Sequence, residues 1–289
     1  LPRFKEILER AFQASPDWRG EYPLTKREYF VGLGTIFAAA YSQYVVKAFG
    51  PILEMLIIYG IPIWVVSFLC GSAILRRTFH HTPQALKFGL GLFGIFALLG
   101  LLAASGIFSI IVTIDPHAQS LLQKPNPVLH VPPEFAWIMV WLSLLVVGPA
   151  EEYLFRGFVY GGLLSLFRNR HWLILAFFSA LLFSAAHLYY ALVYGIASLA
   201  LFAELLAIGT AFAATYYLSG GNLFIPVVLH GLYDASGFLT VALSPTIGLA
   251  LRFAMMGTGI LVGLVLLLRG FSSPSSALPD PKKTGSGKP

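Results

Sequence analysis

The sequence predicts an all-α protein, a polytopic transmembrane bundle of about eight spans. Three observations predict it. The 289 residues are 57% hydrophobic and only 11% charged, with a mean hydropathy of +0.77, a composition of membrane proteins rather than soluble domains. Charge-free intervals long enough to cross a hydrocarbon core of roughly 30 Å recur along the chain. The few ionisable groups inside those intervals gather in three of them, where a polytopic protein places function.

Residues 1–28 are polar and mixed in charge, so no cleavable signal peptide is expected there, and the missing initiating Met reads as a trimmed start. Leu1, Phe4, Ile7, Leu8 and Phe12 recur near helical spacing, which predicts a short interfacial amphipathic helix. The first span is expected over 29–46, the second over 55–75 and the third, glycine-containing, over 88–114. A proline-rich polar loop comes next. The fourth span starts near Phe135 and continues to about Phe167; Pro149 cannot donate to the carbonyl of Leu145 and is expected to kink it. Between His171 and Leu218 only Glu204 is charged, over twice the length of one span, and a break near residues 190–195 divides it into a fifth and a sixth. Ser219-Gly220-Gly221-Asn222 predicts a tight turn, and the seventh and eighth spans are expected over 223–243 and 247–268. Residues 269–289 lack the apolar content for a core and read as a disordered tail. The bundle therefore occupies 29–268, with a catalytic core expected over 135–243.

Nineteen Lys and Arg against thirteen Asp and Glu leave a net charge of +6. The basic residues are distributed among loops rather than clustered on a soluble face, which argues against a nucleic-acid partner and makes them a topology signal. Arg76, Arg77 and Lys87, then Arg168 and Arg170, then Arg269, Lys282, Lys283 and Lys288 fall on one side of an eight-span bundle. Both termini are accordingly expected in the cytoplasm. Cys70 is the single cysteine, so an intrachain disulfide and a cysteine metal cluster are both excluded.

Glu151, Glu152 and Arg156 lie in the fourth predicted span, His187 in the fifth, and His230 and Asp234 in the seventh. Glu151 precedes Asn169, at the turn between spans four and five, by 18 residues, and His187 lies 18 beyond it. An antiparallel hairpin brings the two to one level, roughly 27 Å along the helix at 1.5 Å per residue. Adjacent helical positions point about 100° apart, so the two glutamates diverge, whereas Glu152 and Arg156 are i,i+4 neighbours. This assigns Glu152 to neutralise Arg156 and leaves Glu151 free. His230 and Asp234 are also i,i+4, and Asp234 can fix the imidazole tautomer. The group reads as a water-activating site: Glu151 as base, His187 orienting the water or sharing its proton, His230 stabilising an oxyanion.

Glu-Glu-x-x-x-Arg at 151–156, Phe-x-x-x-His at 183–187 and His-x-x-x-Asp at 230–234 together resemble the motifs of the CPBP family, intramembrane proteases related to the CAAX prenyl endopeptidase Rce1 and to bacteriocin-processing or self-immunity proteins. The resemblance implies a metal-independent glutamate-type hydrolase without cofactor. Glu151 and His187 would activate the water, His230 and Asp234 form the oxyanion side, and Glu152 and Arg156 support them, while Phe183 shapes the site wall. It also implies a membrane-associated peptide or protein substrate, lipid-modified in some members, and a bacterial cytoplasmic membrane. CAAX-processing members carry Asn, an amide donor, where this chain has Asp234, which donates only when protonated; a prenylated substrate is thus not implied.

Other readings attach to the same residues. The two histidines can be packing residues that satisfy each other, and Glu152 with Arg156 a structural ion pair. Glu204 can line the same cavity or cap a hydroxyl. A metal-dependent protease would use Glu151, His187, His230 and Asp234 as ligands, though H-E-x-x-H is missing. A non-enzymatic scaffold or a proton-coupled transporter is the third class, and no second copy of the motifs is present to suggest a transporter's internal repeat. The sequence does not give the oligomeric state.

Overall fold

A computed structural model describes residues 22–46, 51–122 and 131–272. The expected interfacial helix over residues 1–12 and the expected tail beyond residue 272 lie outside the described residues. Helices make up the fold: α1, Lys26–Val46; α2, joining Pro51–Met55, a π segment Leu56–Gly60 and Ile61–Leu75; α3, Thr82–Ile114; the short α4, Ala118–Leu122; α5, Pro133–Leu166; α6, Trp172–Ala186; the short α7, Tyr189–Tyr194; α8, Ser198–Leu218; α9, Phe224–Ala242; and α10, Pro245–Ser272. No strand occurs among the described residues.

Six helices are long and apolar enough to cross a membrane: Leu53–Leu75, Thr82–Ile114, Pro133–Leu166, Tyr189–Leu218, Phe224–Ala242 and Pro245–Arg269. The protein is an integral membrane helix bundle. The expected count of eight differs at two places. The first predicted span falls on α1, which is not among the six, and the fifth on α6, which has only 15 residues. The long apolar stretch divides earlier than expected: α6 ends at Ala186, most of the expected break forms the short helix α7, and Gly195, at φ 52°, opens the 3₁₀ turn that leads into α8.

Two arrangements position the site. Helix α3 lies between α8 and α10, and at one point the α3–α10 approach is close enough to require glycine: a Cβ on Gly94 would stand 2.2 Å from the backbone of Gly259 and Ile260. Helix α9 packs along the first half of α5, while α6 lies on α8 and touches the second half of α5. The largest apolar cluster sits where α1, α2, α5 and α6 meet, around Tyr29, Val66, Ile74, Phe155, Phe158 and Phe183.

Helix α5 is irregular. Its α-helical stretches are interrupted by a π segment at Ser143–Val147 and another at Tyr153–Tyr160, with the five residues Gly148–Glu152 between them. The backbone N–H of Gly148 donates to the carbonyl of Ser143, five residues back. The turn thus widens one residue before Pro149, where an ordinary α-turn would bring the proline ring against a carbonyl. The expected break at Pro149 takes this form.

Candidate active site

Glu151 and Glu152 end the α-helical stretch between the two π segments of α5, and their side chains diverge. Glu152 is fully buried. Its Oε1 forms an ion pair with Arg156 at 2.8 Å and accepts from Nδ1 of His230 at 2.7 Å. Arg156, also buried, donates through Nη2 to the carbonyl of Gly209 in α8 at 3.3 Å. Its guanidinium carbon lies 4.6 Å from the centre of the Phe183 ring and 5.2 Å from that of Phe212. Carboxylate, backbone carbonyl and two ring faces thus surround the cation, the compensation a desolvated arginine requires.

Glu151 remains partly accessible. Its Oε2 lies 3.6 Å from Nε2 of His230 and 4.0 Å from Nε2 of His187, and its Oε1 accepts from the Tyr59 hydroxyl at 2.9 Å. His187 caps the C-terminus of α6, where the chain leaves helical geometry, and its Nδ1 is 2.9 Å from the carbonyl of Phe183 one turn back. A carbonyl only accepts, so Nδ1 carries the proton and donates; in the neutral ring the bare nitrogen, Nε2, faces Glu151. The Nδ1 proton of His230 is likewise held by Glu152, which turns its Nε2 toward Glu151 and toward Oδ2 of Asp234, 3.4 Å away.

The rings fix these orientations. Phe183 packs against His187 at 4.7 Å and edge-on to His230 at 5.8 Å, and Phe212 stacks on His230 at 5.5 Å. Three helices therefore bring Glu151, His187 and His230 to one point, and Asp234 adjoins it from α9. Glu204 is bonded by the Tyr233 hydroxyl, and Arg252 lies over the Tyr233 ring at 4.5 Å.

One sequence-derived assignment changes. Asp234 was expected to fix the His230 tautomer, but the buried 2.7 Å contact to Nδ1 comes from Glu152, and Asp234 meets the other nitrogen. Glu152 thus both neutralises Arg156 and orients His230. Sequence reasoning also missed Tyr59 and Phe212. Phe212 carries no motif, and Tyr59 is one of many aromatic residues in an apolar helix, so neither carried a signal in the sequence.

Among the described residues, no group of three or more His, Cys, Asp or Glu is placed to hold a metal ion. The donor atoms of Glu151, His187 and His230 face one another across 3.6 and 4.0 Å, and the ring nitrogen that binds Glu152 is the one turned away from this gap. The buried cluster of Glu151, Glu152, His230 and Asp234 is consistent with a glutamate-type catalytic site.

No curated protein and no solved structure matches the chain. Over residues 133–236, from the start of α5 through all of the site's α5, α6 and α9 residues, it is homologous to the family described as type II CAAX prenyl endopeptidase Rce1-like, and this homologous segment is part of a larger helical bundle.

Proposed function

We infer that the protein is an intramembrane endopeptidase in which Glu151 activates a water. The observation that carries this reading is the convergence of Glu151 Oε2 with the Nε2 atoms of His187 and His230. Both gaps exceed a direct hydrogen bond, and catalytic contacts of this length tighten when substrate binds. A water held between Glu151 and the bare nitrogen of His187 loses its proton to Glu151 as its oxygen attacks the peptide carbonyl carbon. His230, once Nε2 carries a proton, donates it as a hydrogen bond to the developing oxyanion. The proton on Glu151 then passes to the departing amine as the C–N bond breaks. Asp234 adjusts His230 from the open side. Glu152 and Arg156 hold His230 and the α5–α8 contact. The substrate is a membrane-associated peptide or protein, and the machinery sits in a bundle of eight spans whose termini share the cytoplasmic side.

The homology over residues 133–236 supports this reading over a transporter or scaffold, because the segment it covers contains every proposed catalytic residue. The test is a comparison of membranes carrying the intact protein or Glu151→Gln, with new peptide termini read by mass spectrometry. Glu151→Gln keeps the size and the bond to Tyr59 but removes the base, and cleavage is expected to fall by about 10² to 10⁴. Equal cleavage by both would reject the mechanism. Activity lost on chelation and regained with zinc would instead make His187 and His230 metal ligands.

A further inference from the structure

Tyr59 is the one described side chain outside residues 133–236 with a hydrogen bond to a carboxylate of the cluster. It lies in the π segment Leu56–Gly60 of α2, where the N–H of Ile61 reaches back five residues to the carbonyl of Leu56. Helix α2 packs on α5 between Ile61–Leu75 and Tyr153–Tyr160, and the Tyr59 hydroxyl donates to Oε1 of Glu151 at 2.9 Å. The two carboxylate oxygens of Glu151 are thereby divided. Oε1 is occupied by the phenol, and Oε2 is the oxygen left facing His187 and His230. Without the phenol, the carboxylate can rotate about its terminal torsion, which is broad for a glutamate, and its base oxygen loses its fixed aim.

We propose that Tyr59 is a positioning residue for this reaction, one that fixes which oxygen of Glu151 faces the water and makes α2 part of the active site. The proposal rests on the proteolytic reading above. It also has a structural consequence: the 133–236 segment alone would carry the motif residues yet lack the group that aims its base.

The test uses the full-length protein in liposomes with a randomised peptide library as the probe; the best-cleaved peptide then serves for kinetics. Tyr59→Phe keeps the ring and removes only the hydroxyl. The expected result is a kcat lower by about 10- to 100-fold, the range for a hydrogen bond to a charged group, with KM and melting temperature unchanged. A residue that only supported the fold would change the melting temperature or KM instead. Tyr153→Phe is the control, because that hydroxyl bonds Ser67 on the same helix pair, 2.9 Å away, and does not touch Glu151; its turnover should match the unaltered protein. In the Glu151→Gln background, Tyr59→Phe should have little further effect, since it acts through the carboxylate. If Glu151→Gln abolishes cleavage while Tyr59→Phe leaves kcat intact, positioning is refuted and the proteolytic reading stands. If Tyr59→Phe is equally damaging with and without Glu151, it acts elsewhere and the proposal fails. Cleavage that survives Glu151→Gln, or no cleavage of any library member, overturns both.

Discussion

At the scale of residues, the two adjacent glutamates are separated by what surrounds them. Glu152 has a buried cation and a buried imidazole on one oxygen, so Glu152→Gln leaves Arg156 charged and uncompensated among Phe183, Phe212 and Gly209. Breaking one side of a buried pair costs about 3–5 kcal/mol. The expected outcome is a lowered melting temperature and poor expression, with turnover falling as a consequence. Adding Arg156→Gln should return part of that stability, because two neutral side chains replace one stranded charge, yet it should not restore activity to Glu151→Gln. A Glu152→Gln protein that melts normally but is inactive, together with a Glu151→Gln protein that turns over normally, would exchange the roles of the two glutamates. The motif residues were legible because charge inside an apolar span is costly, and spacing alone separates positions 151 and 152. The partner of His230 Nδ1 was not legible: Asp234 lies on the same helix face at i,i+4, whereas Glu152 comes from another helix, and only tertiary packing decides between them. Tyr59 and Phe212 were missed for a related reason, since a tyrosine or phenylalanine in a membrane span is unremarkable until its neighbours are known.

At the scale of elements, three π segments shape the site region: Leu56–Gly60 carries Tyr59, and Ser143–Val147 and Tyr153–Tyr160 flank the glutamates. A π turn adds a residue to the helical repeat and rotates the residues downstream of it, which is how functional side chains are re-aimed without breaking a helix. Pro149 announced the first interruption of α5; Tyr153–Tyr160 holds no proline, and its Gly157, where a Cβ would stand 2.8 Å from Ile74 of α2, reads from sequence only as a residue of low helix propensity. The helices that hold the site are themselves held by a close crossing. A Cβ on Gly94 would meet the backbone of Gly259 and Ile260 at 2.2 Å, whereas one on Gly106, farther along the same helix, meets nothing within 4 Å. Gly94→Ala must therefore push α3 from α10, a cost of about 1–3 kcal/mol, and should lower the melting temperature in detergent. Gly106→Ala should leave it unchanged or slightly raised, as Ala is the better helix former. Equal melting temperatures for the two variants would mean that the α3–α10 contact contributes nothing to stability.

At the scale of the molecule, composition made the membrane bundle legible, but hydropathy counts spans by length and is weakest for the shortest. Helix α6 is 15 residues and fails a length test for crossing, yet contacts between loops bear on the count. The Asn222 side chain donates to the carbonyl of His80 at 2.7 Å, and the N–H of Leu223 donates to that of Thr78 at 3.1 Å. The connections after α2 and after α8 are thus at one end of the bundle. Trp172, at the start of α6, stacks on Tyr217, near the end of α8, at 4.8 Å, so the start of α6 shares that end. Between the two connections the chain runs through α3, α5, α6 and α8, and an even number of crossings returns it to the same end; the proposed eight-span bundle therefore counts α6 as a crossing. Arg77 belongs to the connection after α2, and Arg168 and Arg170 to the turn before α6, so the basic loops that suggested the orientation are gathered at this end. On the positive-inside rule this is the end that the proposed orientation assigns to the cytoplasm. Reporter fusions after Arg77 and after Arg170 should both report cytoplasm, and one at Asn126, in the connection between α4 and α5, should report the opposite side. Arg77 and Asn126 on one side would mean that α3 does not cross, and opposite sides for Arg77 and Arg170 would break the even count on which the eight-span bundle depends.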